Sequence, residues 1–130
     1  MKNGYITHIE EETKKNTDYR RVLYTAQHCQ LVLMRIAVGS EIGEEVHTDN
    51  DQFFRFEAGE GKVIIDGVEH EVKDGDAVIV PAGARHNVVN VGTVALQLYT
   101  IYSPAHHKDG VVQATKADEY EEEFDGVTSE

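Results

Sequence analysis

The 130-residue sequence contains no tryptophan, two prolines and a single cysteine, and it lacks long apolar runs. One cysteine cannot form an internal disulfide, which suits a reducing compartment. No apolar run approaches the roughly 20 residues that a membrane span requires. The first residues also lack the apolar core of a signal peptide. We therefore expect a cytoplasmic protein that does not associate with membranes.

Basic residues are also scarce, with 12 Lys and Arg against 24 Asp and Glu, and the net charge is −12. Such a chain repels phosphate backbones, and no Lys/Arg cluster offsets the repulsion, so we expect no nucleic-acid partner. Seven of the acids lie in residues 118–130, which contain no Lys or Arg. This acidic C-terminal tail is expected to be solvated.

The order of β-rich segments and turns predicts an all-β fold. Short runs of β-branched and aromatic residues alternate with eleven glycines, and they recur about every 8–12 residues, as in a sandwich or barrel. Asp66-Gly67 between two such runs predicts a two-residue hairpin. The length predicts a single domain, 1–130, with its barrel core at about 19–102. Strands are expected at 19–25, 30–38, 52–57, 62–65, 69–72, 77–80, 86–91 and 95–102, with an edge strand at 5–8 and one helix at 116–124.

His47 and His86 stand apart from the other histidines by their local context. In an extended segment Glu45 and His47 point to the same face. Gln52 begins the next strand, and an antiparallel pairing would place it opposite that pair. The His106-His107 pair resembles a metal-binding pair, but it follows Pro104 in a predicted loop and is expected to be exposed.

The segment around His86 resembles the second motif of the cupin superfamily, G-x5-P-x-G-x2-H-x3-N. All five positions match, as Gly75, Pro81, Gly83, His86 and Asn90. The resemblance covers about residues 30–102. It implies a double-stranded β-helix, or jelly-roll barrel, with a site in the barrel mouth. The short C-terminal helix predicted above would follow this barrel.

The first cupin motif, G-x5-H-x-H-x3–4-E-x6-G, is matched in part, between Gly39 and Gly59. Glu45 occupies the position of the first family histidine, His47 that of the second, and Gln52 that of the family glutamate. The carboxylate has thus moved to the first position, and a neutral amide oxygen replaces it at the third. With His86, the resemblance implies four ligands for a divalent cation, and the set suits Zn, Mn, Fe or Ni.

Three functions are compatible with this pattern, because the cupin fold hosts many activities. Small single-domain cupins with an E-x-H…DQF segment resemble mannose-6-phosphate isomerases, which implies a metal-dependent sugar isomerase. Two histidines and a carboxylate also suit an Fe(II) dioxygenase. A binding module for a small ligand is the third possibility. The partner is expected to be a small polar metabolite or sugar, and the chain is expected to form a homodimer through its edge strands.

No catalytic base is identifiable from the sequence, and the charge of the substrate is open. A phosphosugar is an anion, which this acidic chain repels unless a local positive patch receives it. Arg35 and Arg55 lie in the middle of predicted strands, where one of them would bind an anion if it pointed inward. The alternative is that both point outward and cover apolar surface with their stems.

Overall fold

Two antiparallel sheets form the body of the protein. The computed structural model describes residues 2–120 and 122–130. The elements are α1 (Ile9–Lys15), β1 (Arg20–Thr25), β2 (Gln30–Ile36), β3 (Glu45–Val46), β4 (Asp51–Ala58), β5 (Glu60–Ile65), β6 (Val68–Lys73), β7 (Ala77–Val80), β8 (Arg85–Asn90), β9 (Leu96–Ser103), β10 (Val112–Gln113) and a 3₁₀ turn, Lys116–Asp118. The six-stranded sheet has the order β10-β1-β2-β9-β4-β7, and the four-stranded sheet has the order β3-β8-β5-β6.

This architecture confirms the predicted all-β jelly roll. The eight predicted strands of the barrel all form, with ends within two residues of the expected ones. The short strands β3 and β10 were not predicted, because two residues carry no detectable alternation. None of the helices in the described residues is long and apolar enough to cross a membrane.

The core lies between the two sheets and is built by alternate residues of the strands. Phe54 and Phe56 of β4 are fully buried, whereas the alternating residues Phe53 and Arg55 are only half-buried. The period of two in a strand places Phe54 and Phe56 on the inner face of the sheet and Phe53 and Arg55 on the outer face. The inner face is completed by a cluster from both sheets that includes Val32, Met34, Ile36, Val63, Val88, Leu96 and Leu98.

The hairpin between β5 and β6 turns at Asp66-Gly67 as predicted. Ile65 pairs with Val68, so Asp66 and Gly67 alone form the loop. Both have positive φ, 47° at Asp66 and 82° at Gly67, which is the backbone of a type I′ turn and matches the twist of the flanking strands.

The predicted edge strand at residues 5–8 is wrong, and a helix forms just after it. The ion pairs Glu10–Lys14 (2.8 Å) and Glu11–Lys15 (2.6 Å) join residues four apart on α1. Glutamate preceding lysine by four residues stabilises a helix, and acids in its first turn suit the helix dipole. This spacing was the signal for α1 in the sequence.

The predicted helix at 116–124 is shortened to the single turn Lys116–Asp118. Residue 121 lies outside the described residues. Glu119 is already extended, and the backbone N–H of Phe124 donates to the carbonyl of His106 at 3.0 Å. Hydrogen bonds to another segment thus replace those within a helix.

Candidate metal centre

Glu45, His47 and His86 meet at one end of the barrel. The pairing of β3 with β8 sets Glu45 directly opposite His86, and His47 follows two residues after Glu45. One ligand atom from each residue lies within 4.8 Å of the other two. Two ligands of a zinc-sized ion, each about 2.1 Å from it, are separated by at most about 4.2 Å. Small side-chain movements therefore suffice for this group to hold a metal ion.

A backbone carbonyl fixes the orientation of His86. Its Nδ1 lies 3.1 Å from the Ala84 carbonyl oxygen. Because that oxygen can only accept, Nδ1 carries the proton and Nε2 presents its lone pair. His86 is 5% exposed, and Phe54 packs against its ring with 6.3 Å between ring centroids. Such an outer hydrogen bond is typical of histidines that bind metal.

The local environment favours the ligand forms of Glu45 and His86. Burial raises the pKa of the Glu45 carboxyl, but the contact with His47 and the charge of Arg20 outweigh burial and hold that pKa below its ordinary value. Burial also lowers the pKa of His86. At neutral pH the carboxyl is therefore ionised and the imidazole uncharged, as metal binding requires.

The contact between His47 and Glu45 is close but is not a directed hydrogen bond. His47 Nε2 lies 2.8 Å from Glu45 Oε2, yet this buried nitrogen has no hydrogen-bond partner. The alignment, rather than the distance, is unsuitable for a hydrogen bond. A cation shared by the two side chains would satisfy both atoms.

Gln52 does not pair with the Glu45 segment, which corrects the expected register. Its strand β4 pairs with β7 and β9 in the six-stranded sheet, whereas β3 belongs to the other sheet. Gln52 is 2% exposed, and its Nε2 donates to Thr100 Oγ1 at 3.0 Å. Its Oε1 is left as a buried acceptor without a partner, and a cation is a fitting partner for such an oxygen.

A pocket of about 710 Å³ opens beside the cluster. Glu45 and His47 line one part of it, and Arg20 contributes a buried guanidinium. The remaining lining comes from two segments after the barrel strands and from the loop after β3: Val46, Thr48, Asp49, Asn50, Pro104, Ala105, His106, His107, Glu119, Tyr120, Glu122, Glu123 and Phe124.

His106 and His107 are half-buried in this pocket, so the expectation that they are exposed is wrong. The His106 ring lies 4.2 Å from the His47 ring, centroid to centroid, and stacks on Tyr102 at 5.4 Å. Gln30 Oε1 accepts hydrogen bonds from the backbone N–H groups of both histidines, at 3.2 and 3.0 Å. This contact spans more than seventy residues, and no local pattern reveals it.

Arg20 is the buried arginine of the site, whereas Arg35 and Arg55 are half-buried on the opposite face of the sheet. Arg20 was not predicted as a site residue, although it lies two residues before the buried Val22 on β1 and so shares its face. Arg20 Nη1 donates to Gln113 Oε1 at 2.8 Å and to Glu119 Oε2 at 2.9 Å.

Part of the acidic tail packs against the barrel, which corrects its expected solvation. Glu119 accepts a hydrogen bond from Tyr19 as well as from Arg20, at 3.1 Å, and is half-buried. The Glu122 carbonyl accepts from the backbone of Lys108 at 2.8 Å. These contacts make the tail one wall of the pocket.

We predict that His107 makes the metal-free protein sensitive to acid. Burial lowers the pKa of His107 from 6.5 to about 2, and Nε2 lies 3.2 Å from the Tyr102 hydroxyl. Below about pH 6.5 His107 becomes protonated in the unfolded chain but stays uncharged in the folded chain. The free energy of unfolding therefore falls by up to about 1.4 kcal/mol for each unit by which the pH is lowered.

His107→Gln keeps roughly the size of the side chain and removes the group that binds this proton. Urea titrations of both metal-free proteins at pH 7, 6 and 5 should show a shallower loss of stability for the variant between pH 6 and 5. Equal slopes would contradict the assignment. Above pH 7 the two proteins should respond alike to pH, since His107 is uncharged in both states there.

Residues 32–102 match the family described as the cupin domain, and the chain belongs to this family. The uncharacterized protein YrkC of Bacillus subtilis (strain 168) is 41% identical over 88% of this chain, which spans 64% of the length of YrkC. An uncharacterized protein of Acanthamoeba polyphaga mimivirus is 40% identical, over 86% of this chain and 72% of its own length. The crystal structure of BH2720 from Bacillus halodurans is similar with a TM-score of 0.88 and 43% identity, over 89% of this chain and 92% of that one.

Proposed function

We propose that the protein is a metal-dependent isomerase that interconverts an aldose and a ketose. The observation that carries this proposal is the Glu45, His47 and His86 cluster beside a pocket that is lined by many polar side chains. A hydroxyl-rich substrate needs hydrogen-bonding groups on several sides, and this lining offers carboxylates, imidazoles and a guanidinium.

We assign four ligands to one divalent cation: Glu45, His47, Gln52 and His86. The unpartnered oxygen of Gln52 and the unpartnered nitrogen of His47 support this set. Two imidazoles, one carboxylate and one amide oxygen suit Zn, Mn, Fe or Ni. A cation held there would polarise the carbonyl and neighbouring hydroxyl oxygens of a sugar.

His106 is the side chain that we assign to proton transfer. It lines the pocket next to His47, and its stacking on the buried Tyr102 holds the ring in place. Isomerisation requires a base that takes a proton from the hydroxyl-bearing carbon next to the carbonyl and returns it to the carbonyl carbon, while the proton of that hydroxyl moves to the carbonyl oxygen. A nitrogen base on the pocket wall, separate from the proposed ligands, is suited to this movement.

An Fe(II) dioxygenase is the second candidate. The observation that favours it is the set of two histidines and one carboxylate, which are the ligands of many non-haem iron oxygenases. The two candidates differ in their need for oxygen. A module that binds a small molecule without turnover is the third outcome that the experiment below can give.

The experiment compares sugar isomerisation with oxygen uptake in protein loaded with each of the four metals. D-mannose and D-mannose 6-phosphate are the two sugars tested, and we expect D-mannose to yield the ketose without oxygen. His106→Gln should lower the rate by about 100-fold or more, which is the usual contribution of a general base, while the metal content stays unchanged. His70→Gln, on the exposed surface of β6, is the matched control.

Iron-dependent oxygen uptake without isomerisation would favour the dioxygenase and contradict the isomerase. Metal-loaded protein that shows neither reaction with these sugars would favour the binding module. An unchanged isomerisation rate in His106→Gln would overturn the role of His106 alone.

A further inference from the structure

Negative charge dominates the lining of the pocket. Among the described residues that line it, Glu45, Asp49, Glu119, Glu122 and Glu123 are acids, and Arg20 is the basic residue with a full charge. The five carboxylates and one guanidinium give this lining a charge of −4, and the proposed divalent cation would still leave −2. A pocket of this sign attracts cations, accepts neutral molecules and repels anions.

Three of these acids, Glu119, Glu122 and Glu123, form what we term the acidic strap. The strap is held against the segment that carries His106 and His107. The Glu122 carbonyl accepts from the Lys108 N–H at 2.8 Å, and an isolated antiparallel bridge joins Glu123 to His107. These contacts fix the backbone of the strap at the pocket, where Glu122 is half-buried and Glu123 is exposed. In the described part of the chain Glu122 and Glu123 form no ion pair.

Arg20 gives an independent indication of the ligand. Its side chain is 3% exposed and lines the pocket, and its Nε has no hydrogen-bond acceptor. The charge of Arg20 is already balanced by Glu119, since Arg20 Nη1 lies 2.9 Å from Glu119 Oε2. This nitrogen is buried, so a ligand oxygen reaches it only when the side chain shifts. A hydroxyl oxygen is a sufficient acceptor there, because Glu119 already supplies the negative charge.

We propose that this pocket takes a polyhydroxy compound without negative charge and that the acidic strap excludes phosphorylated and carboxylated counterparts. This inference rests on the proposed isomerase function and restricts its substrate class. A neutral sugar or an amino sugar fits the pocket, whereas a phosphosugar meets uncompensated carboxylates on Glu122 and Glu123.

The test uses three small metal-binding probes that differ in charge, so that it does not depend on turnover. Acetohydroxamate carries no further charge, glycine hydroxamate adds an ammonium group, and the monohydroxamate of succinic acid adds a carboxylate. Calorimetry on the metal-loaded protein at low salt gives each affinity. The variant is Glu122→Gln/Glu123→Gln, and the control is Glu69→Gln/Glu71→Gln on β6, at the opposite edge of the four-stranded sheet from β3.

We expect the carboxylate probe to bind about tenfold more weakly than acetohydroxamate, as one or two unit charges at short range imply, and glycine hydroxamate to bind at least as well. The strap variant should remove most of this difference and the control none. The wild-type difference should also shrink in about 0.5 M salt, where screening acts within a few ångström.

Equal affinities at low salt, or a difference that survives in the strap variant, would overturn the proposal. Failure of all three probes to bind would also overturn it, because the pocket would then not open on the metal. A protein that takes up no divalent metal contradicts the proposed function itself, and metal analysis detects this before any probe is added. Absence of isomerase activity alone would contradict the proposed function but would not change the expected order of the three probe affinities.

Discussion

Replacing His86 with alanine is expected to weaken divalent metal binding by more than about 100-fold and to leave the barrel folded. Removing a group that hydrogen-bonds to a metal ligand already lowers the metal affinity by about 10–100-fold, and removing the ligand itself should lower it further. His86 faces Glu45 across the β3–β8 pair, and its Nδ1 is engaged by Ala84 at 3.1 Å. Alanine removes the Nε2 lone pair without disturbing the strand pairing.

His47→Ala is expected to give the same loss. Titration with Zn or Mn and elemental analysis measure the binding, and circular dichroism checks that the variants fold. The control is His70→Ala, whose side chain is exposed on β6 and should bind metal as the wild type does. A His86→Ala or His47→Ala variant with wild-type metal content would show that the ligand assignment is wrong.

Phe54→Ala should destabilise the protein by about 3–5 kcal/mol, because a fully buried aromatic ring leaves a cavity when it is removed. Phe54 is 0% exposed. Its ring stacks on Phe56, with 6.3 Å between centroids, and packs against His86 at the same separation. The loss should therefore affect both the core and the support of the metal centre.

Phe53→Ala is the matched control, since this neighbouring ring is half-buried on the other face of β4. Urea or guanidinium unfolding should show a clearly smaller loss for Phe53→Ala than for Phe54→Ala. A total stability of about 5–15 kcal/mol is usual, so Phe54→Leu serves as a milder variant if the alanine variant does not fold. Equal losses at the two positions would contradict the assigned core face.

The parts of the fold that were predictable depend on local patterns. The Asp66-Gly67 turn has positive φ at both residues, and this requirement is visible in the two residue types themselves. The β8 segment could be placed because the motif around His86 has fixed spacings. Glu45 and His47 share a face because neighbouring residues of an extended chain alternate.

The parts that were missed depend on contacts between distant segments. His106 and His107 are drawn into the pocket by Gln30, and the tail by Lys108 and Arg20. A run of acids after residue 117 favours solvation when it is judged by composition alone. Its packing follows from partners far away in the sequence, which no local pattern specifies. The register of β4 was missed for the same reason, since strand pairing between sheets is a property of the whole barrel.

We propose above that Glu45, His47, Gln52 and His86 bind one divalent cation in a cupin barrel. Elemental analysis of protein purified without a chelator and without a metal-binding affinity tag tests this proposal most directly. We predict about one Zn, Mn, Fe or Ni ion per chain. A folded protein that holds no such metal at a stoichiometric level, and takes none up when metal is added, would contradict it.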